Sequence, residues 1–166
     1  MILTERYLLK PLTVDDVTER YLGWFAAPGS EHIASARSIV SMSDLRAYVA
    51  ERESRDDVLF LGIFDRASGV HLGNVKFEPV NEEESYATCG IFIGEVEARG
   101  NGTAGEAITA AAQWLNANRG IKQILLGVHV DNYPAVRAYR KIGFREDHPP
   151  HLPEHPHIVW MTLDIA

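Results

Sequence analysis

The sequence predicts an α/β fold: a mixed central sheet with antiparallel N-terminal strands followed by a parallel βαβ unit, flanked by helices. Two apolar runs, Val58 to Phe64 and Val70 to Phe77, are separated by the turn residues Ala67-Ser68-Gly69 and read as a hairpin. A strand candidate from Tyr86 to Gly94, an alanine-rich helix from Thr103 to about Ala117, and a strand from Gln123 to Val130 then follow in order. Strand, helix, strand over that length makes the two strands parallel.

A short strand around Arg6 to Leu12 opens the chain. Thr13-Val14-Asp15-Asp16 has the spacing of a capping box, and Val17, Tyr21 and Trp24 recur behind it at helical spacing. Pro28-Gly29-Ser30 marks a loop that runs on through Glu31 and His32. A second capping box, Ser41-Met42-Ser43-Asp44, starts a helix with Leu45, Tyr48 and Val49 on one face. After the hairpin, Ile91, Phe92 and Ile93 are apolar in succession, as in a sheet interior. The long helix carries Ala104, Ile108, Ala111 and Leu115 on one face and stops at Gly120. Asp131 or Asn132 caps a short helix with Pro134 in its first turn and Gly143 just past its end. A loop then joins a strand at Phe144 to a last apolar strand, Ile158 to Leu163. No repeat or linker interrupts the 166 residues, so 1–166 reads as a single domain.

Hydrophobic residues make up 46% and charged residues 23%, which excludes a mainly disordered chain. Sixteen Lys and Arg stand against 23 Asp and Glu, a net charge of −7. Such a balance argues against sequence-independent nucleic-acid binding and against anionic membrane surfaces. The single cysteine, Cys89, excludes an intrachain disulfide or a multi-cysteine zinc site. Its apolar strand has no lysine or arginine close by, which favours an inert thiol over an acyl-accepting nucleophile. No apolar run approaches the ~20 residues of a membrane span. The opening Met-Ile-Leu-Thr-Glu-Arg shows no secretory pattern, so a cytoplasmic location is expected. His148, His151, His155 and His157 could suit Zn, Ni or Cu. Interleaved prolines and the lack of a partner cysteine favour a plain loop there, and no metal is expected.

Arg99-Gly100-Asn101-Gly102-Thr103-Ala104 lies between a strand and a helix. The first turn of a helix leaves N–H groups unpaired and adds partial positive charge, and glycines let a phosphate approach the backbone. A plain strand-to-helix turn is the alternative. The segment is neither Walker A, which needs Gly-Lys-Ser/Thr, nor the dinucleotide fingerprint Gly-x-Gly-x-x-Gly.

Here the chain resembles the GNAT superfamily of acetyl-CoA-dependent N-acetyltransferases. Arg99, Gly102 and Ala104 fill that family's Gln/Arg-x-x-Gly-x-Gly/Ala loop. Asn132, Ala135, Tyr139, Gly143 and Phe144 fill its Asn-x-x-Ala-x-x-x-Tyr-x-x-x-Gly-Phe signature. The resemblance covers most of Val58 to Arg145. Within the superfamily, Gly73 to Asn81 and Gly90 to Glu95 are similar to a branch linked to surface-polysaccharide amino sugars, and to enzymes that acetylate ribosomal-protein N-termini.

The resemblance implies the GNAT fold, acetyl-CoA as cosubstrate, and direct transfer to a primary amine in one ternary complex. It implies that Ile91, Phe92 and Ile93 hold the pantetheine arm and polarise the thioester carbonyl. Arg99, Gly100, Asn101, Gly102, Thr103 and Ala104 would hold the pyrophosphate, with Asn132, Ala135 and Tyr139 completing the acetyl-CoA site. Tyr139 would point its hydroxyl at the thioester sulfur. A phenol of pKa ~10 stays protonated at neutral pH and can donate to a developing thiolate. Simple packing under its helix is the alternative.

Two positions that often carry a glutamate base in related enzymes are Thr88 and Gly127 here, and neither can act as one. His129 shares a strand face with Leu125 and Gly127, and its imidazole could accept the amine proton directly or through water. A hydrogen-bonded strand residue is the plainer reading. Asn74, Lys76 and Glu78 alternate on a strand that borders the acceptor cleft in the resembling branch, unless that face is merely solvated. Glu31 and His32 would border the same cleft. The strand resemblance favours an amino-sugar nucleotide as acceptor, whereas net acidity would attract a basic protein N-terminus. A non-catalytic acyl-CoA sensor is a third reading. A small-molecule or peptide amine partner and a monomer or homodimer are expected, without nucleic acid or membrane.

Overall fold

The computed structural model describes residues 1–27 and 38–165. In chain order the elements are β1 (Ile2–Leu3), β2 (Tyr7–Pro11), α1 (Glu19–Ala26), α2 (Met42–Glu53), β3 (Leu59–Asp65), β4 (His71–Asn81) and β5 (Tyr86–Ile93). They continue with α3 (Thr103–Arg119), β6 (Gln123–His129), α4 (Tyr133–Ile142), β7 (Arg145–Glu146) and β8 (Ile158–Asp164). The strands form one sheet in the order β1-β2-β3-β4-β5-β6-β8-β7. Neighbours from β1 to β5 are antiparallel, β5 and β6 are parallel, and β8 returns antiparallel to β6. The α/β class, the hairpin and the parallel βαβ unit expected from the sequence are all present.

Strand alternation divides the core between the two faces of the sheet. Leu9, Leu61, Ile63, Val75, Phe77, Ile124, Leu126 and Val128 pack with Ala107, Ile108, Ala111, Ala112 and Leu115 of α3. Alanines at the contact let α3 lie close to the strands. On the other face Phe60, Phe64 and Phe92 meet Tyr21, Trp24 and Phe25 of α1 and Leu45 and Val49 of α2.

The first capping box does not open a long helix. Thr13 and Asp16 close a box around a 3₁₀ turn, Val14–Asp16, after which Val17 is extended. The helix that carries Tyr21 and Trp24 starts from its own cap, Thr18, whose hydroxyl accepts from the Tyr21 N–H. Ser41 and Asp44 do form the predicted box at α2. β4 runs past Phe77 to Asn81 because a register shift lets Val80 pair with Ala87. β1, two residues long, carries too little pattern to be read from the sequence. Among the described residues no helix is long and apolar enough to cross a membrane.

Candidate active site

The sheet opens at its parallel pair. β5 and β6 pair only where Tyr86–Thr88 meet Gln123–Leu125. β5 continues to Ile93 against β4, while β6 continues to His129 against β8. Beyond Thr88 and Leu125 the facing edges therefore carry main-chain N–H and C=O groups with no strand opposite. Such groups need a partner, from water or from a ligand that can itself pair like a strand. The gap widens into a cavity of ≈ 850 Å³ with Cys89, Gly90, Ile91 and Phe92 on one wall and Leu126, Gly127, Val128 and His129 on the other.

At the end of β5 the chain turns under Trp24. A Cβ at Gly94 would lie 1.9 Å from the Trp24 ring, so the indole packs directly on the glycine. The chain then passes through a 3₁₀ turn, Val96–Ala98, into the loop that starts α3. Gly102 caps α3 in the left-handed region, φ +84°, where a side chain is strained. Among the described residues no partner is found for any backbone N–H from Gly100 to Gly105, and the first helical bond runs from Glu106 N–H to the Gly102 carbonyl. Successive unpaired N–H groups at a helix start form a cradle for an anion.

The loop is braced from both sides. The Arg99 Nε donates to the Ile93 carbonyl at 2.9 Å, so part of this guanidinium is a strut to β5. Arg6, which sequence reasoning missed, donates through Nη1 to the Asn101 carbonyl at 3.0 Å and through Nε to Glu106 at 2.7 Å. Glu106 also accepts from the Thr4 hydroxyl and the Arg6 N–H. Burial opposes its ionisation, but these hydrogen bonds outweigh that and hold its carboxyl below the usual range. The Thr103 hydroxyl is buried among the Ala98 carbonyl, Asn101 and Tyr7, which leaves this residue only its N–H for a ligand. The Ile93 carbonyl accepts from Arg99, and Ile93 and Ala135 are not among the residues that line the cavity.

α4 faces the same gap. Asn132 caps it, its side-chain oxygen accepting from the Ala135 N–H at 3.3 Å, and also lines the cavity. Tyr139 lines the cavity with its ring edge-on to Phe144, at 5.8 Å between centroids. Among the described residues its hydroxyl has no hydrogen-bond partner, although burial raises its pKa above the ordinary phenol value. Cys89 is also on the wall, and burial pushes its thiol up to about 12. A thiol so protonated is a poor nucleophile at neutral pH. His129 stands on the opposite wall, where its Nδ1 accepts from the Asp131 N–H at 3.3 Å and its ring stacks on His157 at 6.0 Å. Among the described residues no three His, Cys, Asp or Glu side chains converge as a metal site would require.

The far end of the cavity lies against β4, α1 and α2. Asn74 is buried, its Oδ1 2.7 Å from the Nε2 of His71. Burial lowers the His71 pKa, so the ring stays neutral between Phe64, Trp24 and Tyr21. Lys76 donates to the Tyr48 hydroxyl at 2.8 Å and to Glu78 at 3.1 Å. The Asn74–Lys76 face is thus packed against helices rather than solvated, and both residues line the cavity, as do Tyr21, Tyr48 and Arg52 from α1 and α2. Glu78 does not line it; it sits behind, held by Lys76, Arg52 and Arg55. Glu31 and His32 lie outside the described residues.

The acetyltransferase (GNAT) domain family matches residues 6–145. A mycothiol acetyltransferase from Saccharomonospora viridis is 35% identical over 104 residues, 57% of this chain and 33% of that protein's length. The chain thus spans about a third of this curated relative. A spermidine N-acetyltransferase chimera from Vibrio cholerae and human sequence superposes with a TM-score of 0.79 at 19% identity, covering 96% of each chain. The microcin C7 self-immunity acetyltransferase MccE, solved with acetyl-CoA and AMP, gives 0.80 at 16% identity over 97% of this chain and 93% of its own. At such identities the two structures establish a shared fold.

Proposed function

The chain belongs to the acetyltransferase (GNAT) domain family, and from that premise we propose that it transfers the acetyl group of acetyl-CoA directly to a primary amine. The observation that carries the reading is the splayed β5–β6 edge that leads to the unpaired N–H groups of Gly100 to Gly105. The pyrophosphate sits on that cradle, and the pantetheine amides pair with the free edge of β5 at Gly90 to Phe92. A β5 N–H directed at the thioester oxygen stabilises the charge that develops there.

In the reaction the amine nitrogen forms a bond to the thioester carbon, and the carbon–sulfur bond breaks from the tetrahedral intermediate. The Tyr139 hydroxyl gives its proton to the departing thiolate. His129 takes the proton lost by the amine, directly or through a water, and solvent restores both groups. Thr88 and Gly127 offer no carboxylate for this task. The raised pKa of Cys89 favours this direct route over an acetyl-cysteine intermediate. Of the acceptors considered, an amino-sugar nucleotide is preferred over a protein N-terminus, on the position of Asn74 and Lys76 at the cleft.

Release of CoA thiol from acetyl-CoA, followed across a panel of primary amines, tests the reading. Amine-dependent release with equimolar acetylated product is expected. Tight acetyl-CoA binding with no turnover on any amine would favour a non-catalytic acyl-CoA sensor.

A further inference from the structure

Resting on that reading, we propose that the acceptor carries an anionic group, a phosphate or carboxylate, in addition to its amine, and that Lys76 and Arg52 recognise it. Among the described residues, Lys76 and Arg52 are the permanently charged side chains on the cavity wall, and no carboxylate lines it. Both are half-buried, with side-chain exposures of 26% and 19%, where charges are less screened than on an open surface.

The two cations are held in place from behind. Both contact the same Glu78 oxygen at 3.1 Å, and Arg55 takes the other oxygen at 2.8 Å. The Arg52 guanidinium lies 3.6 Å from the centre of the Tyr48 ring, and the Tyr48 hydroxyl accepts from Lys76. Glu51 also pairs with Arg52 and with Arg55 at 3.2 Å, and Asp57 with Arg55 at 3.0 Å, but none of these carboxylates lines the cavity, so among the described residues the charges on its wall are the two cations. Arg52 Nη2 has no partner among the described residues, and Lys76 retains a third ammonium proton beyond the two donated to Tyr48 and Glu78. A guanidinium edge beside an ammonium suits the oxygens of phosphate or carboxylate.

The same field acts on the reacting nitrogen. A cleft edged by two cations disfavours an ammonium and favours the neutral amine that the chemistry requires. It also disfavours a polycationic acceptor, because every added ammonium would be brought towards Lys76 and Arg52 and, among the described residues, no lining carboxylate receives it.

Calorimetric binding to the protein saturated with CoA tests this independently of turnover, since CoA already fills the pyrophosphate cradle. The probes are glucosamine, glucosamine 6-phosphate, muramic acid and spermidine. The first three share an amino sugar and differ by a phosphate or a carboxylate, so the tighter of the two anionic probes identifies the anion. At least one anionic probe is expected to bind about 10-fold or more tightly than glucosamine, with the advantage shrinking as salt rises and spermidine binding weakest. Lys76→Met should cut that ratio about 10-fold and Lys76→Arg should keep most of it. Failure of both anionic probes to bind more tightly than glucosamine overturns the proposal, as does preferential binding of spermidine. Anion preference without acetyl transfer would instead sink the enzymatic reading alone.

Discussion

Replacing Tyr139 with Phe removes one oxygen from the cavity wall and leaves the ring where it is. The hydroxyl has no hydrogen-bond partner among the described residues, so its loss orphans none of them. The ring contact to Phe144, 5.8 Å between centroids, survives the change. Stability should therefore move by well under ~1 kcal/mol. The catalytic consequence is larger. A hydrogen bond to a charged group contributes ~1.5–3 kcal/mol, which corresponds to about a 10- to 150-fold fall in kcat if the hydroxyl meets the departing thiolate. Thiolates leave readily even unassisted, so the lower half of that range is expected. Because burial raises the Tyr139 pKa, the wild-type enzyme should show no loss of activity from its ionisation below pH ~10. The assay is steady-state CoA release at saturating substrates, beside acetyl-CoA affinity and melting temperature. A Tyr139→Phe protein with kcat within twofold of wild type, and unchanged binding and melting, would refute the acid role.

Gly102→Asp should weaken acetyl-CoA binding at least 10-fold by calorimetry. It strains a φ of +84° and sets a carboxylate beside the anion cradle, next to Arg6 Nη2, which lies 3.5 Å from the Cβ position. Gly102→Ala, which adds strain without charge, should weaken binding less, and equal effects would argue that charge is irrelevant there. Gly94→Ala drives a methyl into the Trp24 ring and should cost about 1–3 kcal/mol in urea unfolding. Glu106 has a folded-state pKa below its unfolded value of ~4.3, so its contribution to stability is present above pH ~4.3 and lost as pH falls through the folded-state pKa. Glu106→Gln should accordingly flatten part of the acid limb of the stability curve; an unaltered limb would show that the clamp from Thr4 and Arg6 contributes little.

The elements most legible in the sequence are those specified by neighbours along the chain. α3 is bounded by Gly102 and Gly120, both left-handed, and α4 by Asn132 and Gly143, so residue type alone marks their ends. α1 misled because Thr13 and Thr18 both cap, and only the extended Val17 between them separates a 3₁₀ turn from the helix. The glycine loop could be read locally for the same reason. Its braces could not, because Arg6 and Glu106 are 100 residues apart and meet only when β2 and α3 pack. Likewise Tyr48 and Lys76, separated by 28 positions, come together through α2 and β4. Asn74 and Lys76 were visible as an alternating pair, but the aromatic and cationic partners that turn the pair into a cavity wall come from helices whose spacing records only that one face is buried.

Hydrogen exchange of the backbone amides with and without acetyl-CoA tests most directly whether the splayed sheet edge and its loop form the acetyl-CoA site. Protection is expected in two separated stretches, Gly90 to Phe92 and Gly100 to Gly105, while the His148 to His157 segment exchanges at the same rate in both states. Saturating acetyl-CoA that leaves both stretches unprotected, or that protects other segments in their place, would contradict the account.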